Sequence, residues 1–373
     1  MSKRTILSLA VMAAAGLLGT SALAGEHPPL GPLPPVSAPA DNPTTPAKVE
    51  LGRKLFWDGR LSGNGAMPCV ACHQPELGWE TNGPISMGYP GTIHWRSSQT
   101  IYNSAYYNKL FWNGSVTSLE GQAQAAAEGA VAGNGDTAMM EMRLAFVPEY
   151  VQSFKDVFGT EWPMVNDAWK ALAAFQRTIV SDPKKVPFDR HAMGDKAALS
   201  EPAKRGLELF NGKAGCISCH NGALASDQKF HKTGVPQPKA FAEDPVQQIT
   251  QRWQAYQKGM SEKTYRSADR DHGLYYVTKR PGDDGKFRTP SLRELKYTAP
   301  YMHNGVFETL AEVVAFYNKG GGEGSVLKPL GLTDAEGKDL VAFLESLSMD
   351  QPLLIEEPKL PPTKPLTTSA KGK

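Results

Sequence analysis

One short pattern constrains this chain more than any other, and it occurs twice: PCVACH, with Cys69, Cys72 and His73, and GCISCH, with Cys216, Cys219 and His220. Cys-x-x-Cys-His is the attachment pattern of c-type haem. Both thiols add to the porphyrin vinyl groups, and the imidazole beside the second thiol is held under the iron as proximal ligand. The two copies use all four cysteines. No thiol remains for a disulfide framework, and the directly following His separates the pattern from zinc sites and redox-active dithiols. Two covalently bound haem c groups are expected, with His73 and His220 as iron ligands.

The two copies also share an approach. AKVELGRKLF precedes the first and AKRGLELF the second, each a short helical stretch with Gly four residues before Phe (Gly52 and Phe56, Gly206 and Phe210). The expected fold is mainly α, two cytochrome c-like haem domains with long loops. The motifs lie 147 residues apart and the chain carries 36 Gly and 29 Pro, so each domain holds insertions. An N-terminal domain is expected over 46–195 and a C-terminal one over 196–350. TAMMEMRLAFVPEYVQSFKDVFG and NDAWKALAAFQRTIV have helical periodicity and read as bridging helices. LTDAEGKDLVAFLESLS reads as a late helix capped by Thr333 or Asp334. The Pro-rich segments 25–45 and 351–373 read as extended or mobile.

The chain opens MSKRTILSLAVMAAAGLLGTSALAG: two basic residues, an apolar run, then Ala22-Leu23-Ala24 before Gly25. This is the pattern of a cleaved export signal over 1–24, and the run falls short of the ~20 residues that span a bilayer. Export to the periplasm fits the haem motifs. Without Lys3 and Arg4 the chain has 38 basic and 38 acidic residues. A neutral chain gives no support for binding nucleic acid or a polybasic membrane surface.

LGRKLFWDGRLSGNG before the first motif, FWNGSVTSLEGQA after it, FHKTGV after the second and FRTPSLRELKYTAPYMHNGVFETL further on resemble the bacterial di-haem cytochrome c peroxidase and MauG family across nearly the whole chain. The resemblance implies that the first haem reacts with hydrogen peroxide through ferryl chemistry and that the second, six-coordinate, passes electrons. In that family the distal ligand of the second haem lies 14 residues after the His of PY-x-H-[DN]-G. Here that His is His303 and the fourteenth residue on is Tyr317. Family peroxidases carry Met there and MauG carries Tyr. Tyr317 is thus the implied phenolate ligand, with Met302 as the competitor and packing in an apolar helix as the alternative.

The same resemblance assigns the first haem's surroundings. The blocking His of ordinary family peroxidases falls on Tyr89, so the first iron is expected to be open, with His94 as a replacement blocker. Trp112 matches the Trp between the haems and Gln122 the distal glutamine. The distal Glu falls on Ala132, and Glu128, one turn earlier, is either its substitute in acid-base work or a solvated helix residue. An inter-haem calcium would find Ser97 after Arg96 where the family has Asn, with the carbonyls of Thr298 and Pro300 retained. Ala214 stands where MauG has the surface Trp that draws electrons from its protein substrate. The implied partners are hydrogen peroxide, a small c-type cytochrome or cupredoxin as electron donor, and a second copy in a homodimer. Two other functions stay in view: oxidative modification of a protein substrate, and electron transfer without catalysis.

Overall fold

The computed structural model describes residues 27–81, 83–89 and 91–363. The expected export signal at 1–24 and the end of the 351–373 segment lie outside these. The described residues are mainly helical: α1 (Pro46–Trp57), α2 (Leu119–Glu128), α3 (Thr137–Ala145), α4 (Pro148–Phe158), α5 (Val165–Gln176), α6 (Pro187–Ala192), α7 (Glu201–Asn211), α8 (Pro245–Gln257), α9 (Glu262–Arg266), α10 (Tyr275–Thr278), α11 (Leu310–Asn318) and α12 (Asp334–Glu345). Two antiparallel pairs of two-residue strands complete them. β1 (Met87–Gly88) pairs with β2 (Thr92–Ile93), and β3 (Phe230–His231) with β4 (Phe287–Arg288).

The two approach helices each cross a later helix, α1 on α5 and α7 on α12. Local chemistry starts both. Thr45 accepts from the Lys48 N–H and Ser200 from the Ala203 N–H, and each helix has Pro in its first turn, where a missing N–H costs nothing. Glycine sets both crossings. A Cβ on Gly52 would lie 2.0 Å from the Ala171 carbonyl oxygen, and one on Gly206 would lie 2.0 Å from that of Asp339. Backbone therefore meets backbone, and Phe56 with Phe175, and Phe210 with Phe343, pack ring to ring beside the crossings at 5.3 and 5.1 Å. One main core joins both halves through these rings, Leu55, Trp79, Leu172 and Leu344.

Two expectations change. The stretch from Thr137 to Phe158 is two helices, broken at Pro148, and α5 is the packing partner of α1 rather than a bridge. The Pro-rich segments are extended but docked. Pro28 accepts from the Gly222 N–H, Gly31 from Arg293 and Pro34 from the Tyr106 hydroxyl. Past residue 350, the Leu353 carbonyl accepts from the Trp79 indole at 2.9 Å and the Leu353 N–H donates to the Tyr102 hydroxyl at 2.6 Å. An extended proline-rich backbone leaves its carbonyls free, and here side chains of the body use them.

Candidate functional site

The repeat runs deeper than the approach helices. Residues 110–119 and 301–310 follow one plan. Leu110 pairs with Val116 and Tyr301 with Phe307 as single antiparallel bridges. Phe111 and Met302 both sit in the left-handed region at φ 60° and 77°, as do Gly114 and Gly305. Ser118 and Thr309 then cap α2 and α11. In sequence the halves share little beyond Asn-Gly at 113–114 and 304–305 and a capped Leu at 119 and 310. At that constant offset Trp112 matches His303, Gln122 matches Val313, and Ala126 matches Tyr317.

Each attachment turn is a single 3₁₀ turn, Cys69–Ala71 and Cys216–Ser218, that directs its His inward. His73 Nδ1 donates to the Trp79 carbonyl at 3.0 Å, and His220 Nδ1 to that of Ala225 at 3.1 Å. Both accepting residues lie at positive φ, 62° and 52°. With Nδ1 holding the proton, each Nε2 keeps the lone pair that an iron needs. Burial lowers both imidazoles, His220 to about 4, which keeps the rings neutral as ligands must be. Burial pushes the Cys69 and Cys216 thiols up to about 12, and all four cysteines are unpaired. Burial also raises the Cys72 thiol, whereas the hydrogen bond with His231 lowers that of Cys219. Two thiols beside a neutral imidazole in each turn are a donor set that fits a covalently held haem.

Tyr317, half-buried on α11, lies close enough to Cys216 and Cys219 for their charge to push its phenol up, in addition to the larger effect of burial. Thioether formation would remove the thiol contribution, and a ferric ion would favour the phenolate. Met302 is also half-buried, on the tight turn before α11. Cys219, Asp227 and His231 bring ligand atoms within 4.8 Å of one another. Attachment of a haem would turn the Cys219 sulfur into a neutral thioether and remove one donor from this group.

Trp112 and His303 stand where the halves meet. Their rings are 6.4 Å apart, edge to face, and His303 stacks on Phe287 at 3.8 Å. Ser97 ties them together: its carbonyl accepts from the Trp112 indole at 3.0 Å and its N–H donates to the His303 carbonyl at 2.8 Å. Beside this junction Arg96 and Asp271 form a buried two-pronged ion pair at 2.6 and 3.0 Å. Calcium fits poorly. Ser97 contributes a hydroxyl, not a carboxylate or amide, and with two carbonyls it falls well short of the six to eight oxygens calcium takes.

On the first haem's side, Gln122 and Ala126 share a face of α2, one turn apart. Glu128 does not join them: it lies about 120° round the helix from Gln122, and its carboxylate accepts from Gln124 and Thr137 at 3.3 Å. Tyr89 is held on the β1–β2 turn, its N–H donating to the Ala132 carbonyl at 2.7 Å. His94 accepts the Arg96 N–H on Nδ1 at 3.1 Å and stacks on Trp95 at 4.1 Å. Its proton is therefore on Nε2, which leaves no free lone pair to block an iron. Burial and the Arg96 charge lower this ring to about 3, so it stays neutral.

The family model for di-haem cytochrome c peroxidase matches residues 46–197. Cytochrome-c peroxidase IdrP1 of Pseudomonas sp. (strain SCT) is 64% identical over 360 residues, 95% of each chain. The chain belongs to the di-haem cytochrome c peroxidase family. It is an oxidoreductase of cytochrome-c peroxidase type, acting on a peroxide. This peroxidase is also 36% identical to the methylamine utilization protein MauG of Methylorubrum extorquens, over 87% of this chain and 85% of that one. Among solved structures, a MauG-like protein associated with microbial copper homeostasis matches at TM-score 0.71 and 31% identity, covering 85% of this chain and 94% of that one. No helix among the peroxidase's described residues is long and apolar enough to cross a membrane.

Two features of this site escaped the sequence reading: the pairing of Ala126 with Tyr317, and the carbonyls that orient His73 and His220. The first had a signal, the constant spacing of Asn-Gly and capped Leu in both halves. The second had none, since a carbonyl carries no residue type.

Proposed function

We propose that this protein is a periplasmic peroxidase with two covalently attached haem c groups and MauG-like ligation. It would reduce hydrogen peroxide to water with electrons from a small c-type cytochrome or cupredoxin. The observation that carries this reading is the match of Ala126 to Tyr317. The same helix position holds a phenol in one half and a methyl group in the other, which supports one closed and one open iron. The two domains would span 46–195 and 196–350.

When bound, the haems supply the redox chemistry: peroxide takes two electrons and two protons and leaves as two waters. His73 and His220 would hold the two irons, their Nδ1 protons fixed by the Trp79 and Ala225 carbonyls. Ala126, whose side chain is only a methyl group, would leave room for peroxide at the haem that His73 would hold. Gln122, one turn before it, orients the peroxide by a hydrogen bond. Trp112, edge to face with His303 and bonded to Ser97, carries electrons across the junction of the halves. Tyr317 would hold the second haem's iron through its phenolate oxygen, a donor that favours oxidised iron. Glu128 bonds to its own helix and to Thr137, which favours the solvated-residue reading over acid-base work. Ala214 is buried, so the MauG route of drawing electrons from a docked protein has no indole at that point.

The test is the visible and near-infrared spectrum of the diferric protein before and after an equimolar addition of hydrogen peroxide. A rapid haem change with a new near-infrared band is expected. Reaction only after the second haem is reduced would mean a blocked first iron, and no reaction in either state would mean an electron carrier.

A further inference from the structure

The first attachment turn has neighbours that the second lacks. Trp79, fully buried, gives its carbonyl to His73 and packs its indole edge to face against Trp57, ring centres 6.1 Å apart. Phe56 touches both indoles and lies 6.5 Å from the His73 ring. In the second half the matching Phe is retained as Phe210, but Asn211 replaces Trp57 and Ala225 replaces Trp79 as the acceptor of the histidine proton. Neither indole recurs beside the second attachment turn. They occur only beside the haem that meets peroxide, and tryptophan is among the most readily oxidised side chains.

Trp57 in turn lines a groove of about 380 Å³ on the outer side of the attachment turn, with Val70, Gln74 and Ile355. Its lining includes neither cysteine nor His73. Two exposed carboxylates, Glu76 and Glu357, stand at its rim.

We infer that Trp79 and Trp57 form an electron relay from this groove to the proximal side of the first haem, and that the groove is a second oxidation site for small aromatic amines. This rests on the peroxide reaction proposed above. Hydrogen peroxide oxidises the haem. One electron passes from Trp79 to the haem, one from Trp57 to Trp79, and one from the amine to Trp57. The amine leaves as its radical cation, and two such transfers restore the enzyme for each peroxide reduced. The Trp57 and Trp79 rings are in contact and the Trp79 carbonyl is bonded to His73, and electron tunnelling falls off exponentially with distance. The acidic rim favours a neutral or cationic amine over an anionic dye.

The experiment treats the haem-loaded protein with hydrogen peroxide without a donor and follows the haem bands and the peptide masses. Oxygen addition at Trp57 is expected in the wild type and a several-fold loss of that mark in Trp79→Phe. In Trp57→Phe the oxidised haem should persist several-fold longer, and tetramethyl-p-phenylenediamine should be oxidised several-fold more slowly, with the resting haem spectrum unchanged. An excess of that amine should protect Trp57. Haem bands that respond to peroxide while Trp57 stays unmarked and Trp57→Phe decays at the wild-type rate would overturn the relay alone. Haem bands that do not respond would overturn the relay together with the proposed peroxide reaction.

Discussion

Helices α2 and α11 occupy the same place in the two halves, follow the same strained turn and start from the same kind of cap, yet they present different chemistry. At Ala126 and Tyr317 the repeat carries a methyl group in one half and a phenol in the other, the pair proposed to face the two irons. At Gln122 and Val313 it offers a hydrogen-bonding amide and a plain apolar surface. Two sites of opposite character thus come from one scaffold by changing side chains on a single helix face. The crossings that hold the scaffold, at Gly52 and Gly206, are the same in both halves.

The comparison breaks most visibly at residue 126. Ala126→Tyr would give the first iron the ligand of the second, and stopped-flow peroxide reactivity at that haem should fall to background. A wild-type rate would show that the repeat does not place residue 126 over the iron. Gln122→Leu copies the apolar surface of α11 and should slow the peroxide reaction by about 10- to 100-fold, the range for one hydrogen bond to a charged group. Glu128→Gln should leave the rate nearly unchanged, and a loss as large as that of Gln122→Leu would return Glu128 to the catalytic step.

The shared scaffold can be tested by stability. Gly52→Ala and Gly206→Ala each force a Cβ against a carbonyl oxygen and should cost about 1–3 kcal/mol in denaturant unfolding. Unequal costs would show that one crossing relaxes more easily than its twin.

A smaller difference lies at Ser181, where the two halves meet. Asn103 and Glu294 both sit at positive φ, 58° and 63°, at the start of a 3₁₀ turn, and both reach this serine. Asn103 donates to the Ser181 hydroxyl at 2.8 Å, and that hydroxyl donates to Glu294 at 2.6 Å. Burial pushes the Glu294 carboxyl up to about 7. Its ordinary value is 4.5, so between these pH values the unfolded chain ionises first. Stability should be full below pH 4.5 and fall by on the order of 3 kcal/mol as the pH rises through 7. Glu294→Gln, which mimics the amide of Asn103, should flatten that slope in urea unfolding measured across the window.

The haem cradles were legible in the sequence because covalent attachment demands fixed residue types at fixed spacing. The late helix was legible at Thr333, whose hydroxyl and Glu336 close a reciprocal cap. The pairing of α1 with α5 was not, because a helix shows its apolar face in its own sequence but not which partner covers it. Docking of the Pro-rich segments was not legible either. Their carbonyls are held by Trp79, Tyr106 and Arg293, residues far away in the chain whose side chains carry no mark of such a role.

The Trp79 indole and the Tyr102 hydroxyl, both in the first half, are completed by Leu353. In time this reverses the order of the chain. The first cradle is among the earliest parts to be synthesised and among the last to close, since its lock is made after nearly everything else. The first cradle thus has its Trp79 and Tyr102 hydrogen bonds completed only by chain that lies past residue 350.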